Sequence, residues 1–224
     1  MCGIIGSTSL ERGALERAAA TFRYRGPDST AYFFDSQMAL GHHRLSIIDV
    51  AARADQPMWD AGHTIGIVFN GEVYNFKEIR ASLPASYQFQ TSSDTEVLLY
   101  AYREWGVAFV EKIRGMFACA IYDTRIAKLF LFRDHVGIKP LYYSYEQGHF
   151  SFSSELKGLT TFFHEQSIPL ERHPEALELY SVFGYIPSPL TLYRSIWKLP
   201  RSSWLTFDLR TKEPPVVQSY ILKD

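Results

Sequence analysis

A cysteine occupies the second position of this chain, directly after the initiator methionine. Removal of Met1 would make Cys2 the first residue, so that one residue carries both a thiol and a free α-amine. An α-amine titrates near pH ~8, and its neutral fraction can take the thiol proton directly or through a water. Position 2 therefore predicts a nucleophile and its base in a single residue. The alternative is an ordinary small hydrophobic cysteine, and Cys2 alone does not separate the two.

A nucleophile that attacks a carbonyl group also needs donors for the oxyanion that forms. Asn70 and Gly71, in the segment FNGEVYN, offer an amide NH₂ that cannot ionise and a backbone N–H with no side chain in front of it. The same dipeptide is common in type I′ hairpin turns. On these two residues alone, the turn is the simpler interpretation.

Two further residues have the charge to bind an amino acid. Arg44, in HHRLSI, presents a planar fork suited to a carboxylate, although a surface salt bridge is the more usual role of a single arginine. Asp94 precedes a helical pattern and is predicted to cap that helix. His42 and His43 adjoin a predicted strand and so point to opposite faces, which argues against a shared metal site. Cys119 lies in an apolar strand and is predicted to be buried and inert.

The elements that must position these residues follow from hydrophobic periodicity. Strands occur in runs, with helices before and between them, and residues 116–152 have a period of two that predicts antiparallel hairpins with turns at 124–127, 136–139 and 147–148. This order predicts an α+β layered architecture rather than alternating βαβ units. The predicted helices are 10–22, 76–83, 94–105 with a continuation over 107–113, and 174–183. The other predicted strands are a short one within CGIIGSTS, 31–35, 39–49, 64–70 and a last pair within SIWKLP and SWLTFDL.

Composition excludes several classes of function. The 224 residues include 23 Lys and Arg against 24 Asp and Glu, and this near-zero net charge excludes a generally basic nucleic-acid binder. No uncharged apolar run reaches the ~18 residues of a membrane span, and the N-terminus lacks the features of a signal peptide. Two isolated cysteines suit a reducing compartment, so the predicted location is cytoplasmic.

Eight motifs occur in one order along the chain. Together they resemble the glutaminase domain of the class II glutamine amidotransferases, which are N-terminal nucleophile hydrolases, and RGPD and RLSIID favour the asparagine synthetase branch. The resemblance covers about residues 2–209 and implies a four-layer αββα sandwich of two antiparallel sheets between helices. The motifs are MCGIIG, RGPDS, GHHRLSIID, FNGEVYN, SSDTEV, RGMFACAIYD, RDHVGIKPLYY and FSSELKGL.

The resemblance also implies roles for individual residues. Cys2 would attack the side-chain amide of glutamine, and Asn70 and Gly71 would bind the oxyanion. The α-ammonium group would meet Glu72 and Asp94, and no metal is implied. The α-carboxylate side of the glutamine pocket would be formed by Arg44, Leu45, Ser46, Ile47 and Ile48.

The resemblance further divides the chain into a glutaminase domain, residues 2–210, and the start of a connection, residues 211–224, to an absent synthetase domain. The sequence has no Gly-Gly pair and no GxxxxGK[ST] motif, so it shows no phosphate-binding loop. ATP and Mg²⁺ are therefore expected only in the synthetase domain, and the glutaminase step needs no cofactor. The expected partners are glutamine and that domain, with a homodimer allowed and with neither nucleic acid nor membrane.

Two alternatives to an asparagine synthetase stay open. The same glutaminase could supply ammonia to another acceptor, such as a cell-surface sugar carboxylate, because the acceptor site is not in this chain. A glutaminase-like scaffold without activity is the second alternative. The presence of Cys2, Arg44, Asn70, Gly71 and Asp94 argues against it, since loss of activity usually removes the nucleophile.

Overall fold

The computed structural model describes residues 1–221, and these form twelve strands and five α-helices. The strands are β1 (Gly3–Ser7), β2 (Ser29–Phe34), β3 (Ala39–Arg44), β4 (Met58–Trp59), β5 (Ile65–Val73), β6 (Gly115–Asp123), β7 (Lys128–Arg133), β8 (Tyr142–Glu146), β9 (His149–Ser153), β10 (Ile196–Lys198), β11 (Ser203–Asp208) and β12 (Val216–Ser219). The helices are α1 (Arg12–Ala20), α2 (Phe76–Ser82), α3 (Asp94–Trp105), α4 (Leu156–Glu165) and α5 (Pro174–Phe183).

The strands form two antiparallel sheets of six strands each. The first has the order β10-β8-β9-β1-β3-β2, and the second has the order β12-β11-β7-β6-β5-β4. The hairpins predicted between residues 116 and 152 are present, but they belong to different sheets: β6 pairs with β7 in the second, and β8 pairs with β9 in the first. The chain therefore crosses between the sheets after Arg133.

Alternation of side chains along the strands builds a core on both faces of each sheet. On β6, Ala118 and Ala120 face the other sheet, whereas Phe117, Cys119 and Ile121 pack with α2 and α3. Helices α1 and α4 cover the outer face of the first sheet in the same way. The result is four layers in the order helices, sheet, sheet, helices, which confirms the predicted αββα sandwich and the burial of Cys119.

The structure corrects three expectations about elements. The strand predicted over 39–49 ends at Arg44, because residues 45–49 leave the sheet and Asp49 adopts a positive φ of 48°. The continuation of α3 over 107–113 is a 3₁₀ helix, Gly106–Lys112. Helix α4 was not predicted, although Leu159, Phe162 and Phe163 give the i, i+3, i+4 spacing of a buried face.

Strand β12 lies beyond the predicted domain boundary at residue 210. It pairs with β11 in the register Ser203↔Ser219 to Thr206↔Val216, so the second sheet extends past that point. The boundary itself stays a prediction. Residues 222–224, at the end of the predicted connection, lie outside the described residues.

Candidate active site

A cleft opens where β1 and β3 of the first sheet approach β5 of the second. Every predicted site residue except Ser46 lines this cleft, so residues far apart in the sequence are brought together. Ser46 is nearby, and its backbone N–H donates to Asp28 Oδ2 at 2.7 Å. That bond ties the loop after β3 to the RGPD loop. The lining residues among the predictions are Cys2, Arg44, Leu45, Ile47, Ile48, Asn70, Gly71, Glu72 and Asp94.

Cys2 is held from both sides. The backbone N–H of Leu45 donates to Cys2 Sγ at 3.4 Å, and Arg25 Nε donates to the Cys2 carbonyl oxygen at 2.9 Å. Arg25 is buried and paired with Glu155 at 2.7 Å, which fixes the guanidinium. Burial raises the pKa of the Cys2 thiol, and the Leu45 N–H only partly opposes this. The thiol is therefore protonated at neutral pH and needs a base to become a nucleophile.

Asn70 is the clearest sign of a ligand site. It is fully buried, and neither its Oδ1 nor its Nδ2 has a hydrogen-bond partner among residues 1–221. An unpaired buried amide costs about 1–3 kcal/mol, so folded proteins rarely contain one without a reason. An amide that lines a cleft and is left unpaired is available to a bound substrate or to a developing oxyanion.

The Asn70–Gly71 dipeptide lies inside β5 and not in a turn, so the type I′ interpretation is wrong. Asn70 pairs with Ala118 of β6, and Gly71 pairs with Phe117. A Cβ on Gly71 would lie 2.3 Å from the carbonyl oxygen of Met116, closer than any real contact. Glycine is required here because a neighbouring strand approaches closely, which is a different reason from the φ > 0 of a turn.

The residue before Asn70 is fixed by two buried side chains. Strand β4 pairs only with Gly66 and Ile67, so β5 lacks a strand partner on that side at Phe69. Gln56 Oε1 accepts from the Phe69 N–H at 2.6 Å, and His42 Nε2 lies 3.1 Å from the Phe69 carbonyl oxygen. Burial lowers the pKa of His42 to about 3, so the ring is neutral and its Nε2–H donates.

Gln56 also reaches the helix that carries Asp94. Its Nε2 donates to Thr95 Oγ1 at 3.2 Å, so one buried side chain links β5 to the start of α3. Sequence reasoning missed Gln56. Its role arises only because no strand of the described chain pairs with β5 at Phe69 on this side, and the sequence does not show that gap. The opposite orientations predicted for His42 and His43 are confirmed: His43 Nε2 lies 2.8 Å from the carbonyl oxygen of Ala19, on the helical side.

We expect Gln56→Met to lower the free energy of unfolding by about 1–3 kcal/mol, because it leaves the Phe69 N–H buried without an acceptor. Urea denaturation measures the change. Gln56→Glu, which keeps an acceptor for the Phe69 N–H, is one control. Gln88→Met, which makes the same substitution at an exposed glutamine, is the other. Equal stability of Gln56→Met and Gln88→Met would contradict the assignment.

Arg44 organises the loop that follows β3. It is 4% exposed, so the surface salt bridge is excluded. Its Nη1 donates to Asp55 Oδ1 at 2.7 Å and to the Ala51 carbonyl oxygen at 3.0 Å, and its Nη2 donates to the carbonyl oxygens of Ile48 and Asp49. These bonds fold residues 45–51 around the cleft. Recognition of a carboxylate by Arg44 stays a prediction.

Asp94 lies at the start of α3, but it does not cap that helix. Ser93 is the N-cap, and its Oγ accepts from the Glu96 N–H at 3.3 Å. Asp94 instead uses Oδ2 to accept from the Val73 N–H at 3.0 Å, which places its carboxyl group beside β5 in the cleft. Burial raises the pKa of Asp94 to about 6, and the charge of Glu72 acts in the same direction.

This pKa predicts weaker binding of an α-ammonium group in acid. Asp94 loses its negative charge as the pH falls through about 6, so we expect the KM for an amino-acid substrate to rise below that pH. The effect on protein stability has the opposite sign. Because the pKa of Asp94 is raised in the folded state, this group stabilises the fold at low pH, and that stabilisation is lost as the pH rises through about 6. Kinetics over pH 5–8 measure the change in KM, and Asp94→Asn should abolish its pH dependence. Asp208→Asn, at the end of β11 and outside the cleft, is the matched control. The same acid effect on KM in Asp94→Asn as in the unmodified chain would contradict the assignment.

Residues 1–221 contain no group of three His, Cys, Asp or Glu side chains arranged to hold a metal ion. No helix in the same range is long and apolar enough to cross a membrane. The absence of a metal requirement stays a prediction.

Comparison with known proteins decides the family. A model described as a glutamine amidotransferase domain matches residues 1–221. The chain belongs to the glutamine amidotransferase domain family. This domain is 38% identical over 215 residues to asparagine synthetase [glutamine-hydrolyzing] 1 of Bacillus subtilis, covering 92% of this chain and 33% of that protein. It is 40% identical over 166 residues to asparagine synthetase B of Escherichia coli, covering 71% of this chain and 30% of that protein.

The amidotransferase domain therefore spans about a third of the length of these curated relatives. Among solved structures, the glutamine phosphoribosylpyrophosphate amidotransferase of B. subtilis superposes with a TM-score of 0.71 at 15% identity, covering 97% of this chain and 49% of that one. This likeness shows the fold alone, and it agrees with the αββα sandwich described above.

Proposed function

We propose that this domain hydrolyses the side-chain amide of glutamine to glutamate and ammonia. The observation that carries the proposal is the unpaired amide of Asn70 in the same cleft as Cys2, within a chain of the amidotransferase family. Nucleophile and oxyanion donor are the two groups that acyl transfer needs first. The cleft adds a carboxylate at Asp94 for the substrate's ammonium group and a cation at Arg44 for its carboxylate.

The reaction proceeds through a thioester. After removal of Met1, the α-amine of Cys2 takes the thiol proton, and the sulfur attacks the amide carbon of glutamine. Asn70 and the backbone at Gly71 stabilise the oxyanion. Its collapse breaks the C–N bond, the ammonium of Cys2 returns the proton to the leaving nitrogen, and ammonia departs. Water then attacks the γ-glutamyl thioester and releases glutamate with the thiol restored.

The fate of the ammonia follows from the relatives named above. Both are called glutamine-hydrolysing asparagine synthetases, so we propose that the acceptor is aspartate, activated by ATP and Mg²⁺ in a synthetase domain outside this chain. The glutaminase step uses no cofactor. Another carboxylate acceptor is the alternative, because residues that choose the acceptor belong to that other domain. A cytoplasmic location and a homodimer belong to the same proposal.

Release of glutamate from glutamine by the purified chain tests the hydrolysis. We expect activity that is blocked by a thiol-alkylating glutamine analogue, with modification at Cys2 and a chain mass lower by one methionine. Asparagine, which is shorter by one methylene, is the control substrate and should be turned over poorly. A chain that has lost Met1 and binds glutamine but releases no glutamate would favour the inactive scaffold, and activity with Met1 fully retained would refute the α-amine as base.

A further inference from the structure

The segment that crosses between the sheets after Arg133 is a tightly bonded turn. Asp134 is buried, and its two carboxylate oxygens accept backbone N–H groups at 2.6–3.1 Å. Arg133 donates to the carbonyl oxygens of Gly137 and Lys139, both at 2.9 Å. The turn is therefore fixed by both side chains of the RD pair. The N–H donors to Asp134 are those of Phe117, Val136, Gly137, Ile138 and Lys139.

This turn carries Lys139 into the cleft that contains Cys2. The residue is only 4% exposed. Its Nζ has one protein acceptor among residues 1–221, the thioether sulfur of Met1 at 3.0 Å. A thioether is a weak acceptor, and an ammonium group has three N–H donors, so this buried cation is poorly paired. Asp134 forms no direct ion pair with Nζ in the described part of the chain, because its carboxylate oxygens accept the backbone N–H groups named above, although its charge acts on Lys139 from a distance.

Lys139 lies next to Met1, the residue that must be removed to free the α-amine of Cys2. Loss of Met1 removes the one acceptor of Nζ found within residues 1–221 and creates a free α-amine at Cys2, which lines the same cleft as Lys139. In the chain that still carries Met1, burial lowers the pKa of the Met1 α-amine, and the charges of Arg25 and Lys139 act in the same direction. The other charged or titratable groups that act on the terminal amine, on Lys139 or on the Cys2 thiol are Asp28, Arg44, Glu72, Asp94 and Asp134.

We propose that Lys139 is an electrostatic partner of the nucleophile, favouring the uncharged form of the Cys2 α-amine and the thiolate form of its sulfur. This inference rests on the proposed function, since it concerns the same Cys2. A positive charge opposes protonation of the amine and favours loss of the thiol proton, so it keeps the amine ready as a base at neutral pH. Arg25 contributes in the same sense and acts more strongly on the Met1 α-amine, but its guanidinium is paired with Glu155. Within residues 1–221, Lys139 forms no ion pair with a carboxylate.

The pH dependence of kcat/KM for glutamine tests the inference in Lys139→Met, which keeps the length of the side chain and removes the charge. We expect the midpoint of the acid limb to move up by about one pH unit, which is about a tenfold loss well below that midpoint and little loss above pH 9. Lys139→Arg should restore the original midpoint. Lys212→Met removes a charge from an exposed turn and should change nothing.

A second measurement does not depend on glutaminase activity. Iodoacetamide modification of Cys2, followed by peptide mass at several pH values, reports the titration of the thiol, and Cys119 is distinguished by its own peptide. We expect the midpoint for Cys2 to rise in Lys139→Met. A fall in activity with both midpoints unchanged would mean a merely structural role and would overturn the inference. If the chain without substitutions releases no glutamate, but the alkylation midpoint of Cys2 still rises in Lys139→Met, the proposed function is refuted and the inference about Lys139 stands.

Discussion

Replacement of Cys2 by alanine should abolish the release of glutamate, with a loss on the order of 10⁴-fold or more in kcat. Alanine removes the sulfur that forms the thioester. The hydroxyl-bearing residues that line the cleft are Ser93 and Thr95, and both are bonded within the fold: Ser93 Oγ accepts from the Glu96 N–H, and Thr95 Oγ1 accepts from Gln56 Nε2. Glutamate formation coupled to a dehydrogenase measures the rate. Because Cys2 lies before β1 and its side chain is only partly buried, the variant should fold normally.

The matched control is Cys119→Ala. Cys119 is fully buried in β6, facing the helical layer and outside the cleft, so its replacement should leave the rate within a few-fold of the original. Undiminished glutamate release by Cys2→Ala would refute the thioester route. Equal losses in both variants would indicate damage to the fold.

Replacement of Asn70 by alanine should lower kcat by about 10²–10³-fold while changing the KM for glutamine much less. The oxyanion exists only after attack, so a donor directed at it stabilises the transition state more than the bound substrate. Steady-state kinetics separate the two parameters. Asn70→Asp keeps the shape but brings a negative charge to the oxyanion, and we expect a loss at least as large.

Asn70 and Gln56 form an informative pair, because both are buried amides and only one is paired. Within residues 1–221, the Gln56 amide is bonded through both its oxygen and its nitrogen, whereas the Asn70 amide is bonded through neither. We therefore expect Gln56→Met to reduce the free energy of unfolding more than Asn70→Ala does, and Asn70→Ala to reduce kcat more than Gln56→Met does. A loss of kcat in Asn70→Ala explained fully by unfolding would contradict its role.

Much of this molecule is readable in its sequence. The alternation of β5 and β6 and the helical periodicity of α3 are local patterns. The structure confirms these elements, because each packs its apolar residues into the core. The ordered motifs gave the family and hence the layers. A cysteine at position 2 left two interpretations open, and the ordered motifs around it favoured the nucleophile without any structure. Helix α4 was readable in the same way but was overlooked.

Other features depend on contacts between distant segments. Asn-Gly is a turn signal by local preference, yet it lies within β5 because the close approach of Met116 and pairing with β6 outweigh that preference. Asp94 looked like a cap, but Ser93 takes that place and frees the carboxylate for the cleft. No spacing rule could mark Gln56 or Lys139, whose roles arise from a strand edge and from a turn between sheets.

The sequence by itself determined the type of chemistry, the family and the layered architecture, because nucleophile, periodicity and motif order are written in neighbouring residues. Only the tertiary structure decided which polar groups stay unpaired. Pairing is a property of the whole packed chain: Arg44 and Asp134 find partners across loops, while Asn70 and Lys139 are left in one cleft with almost none. We propose that these groups mark where the substrate and the mature terminus meet.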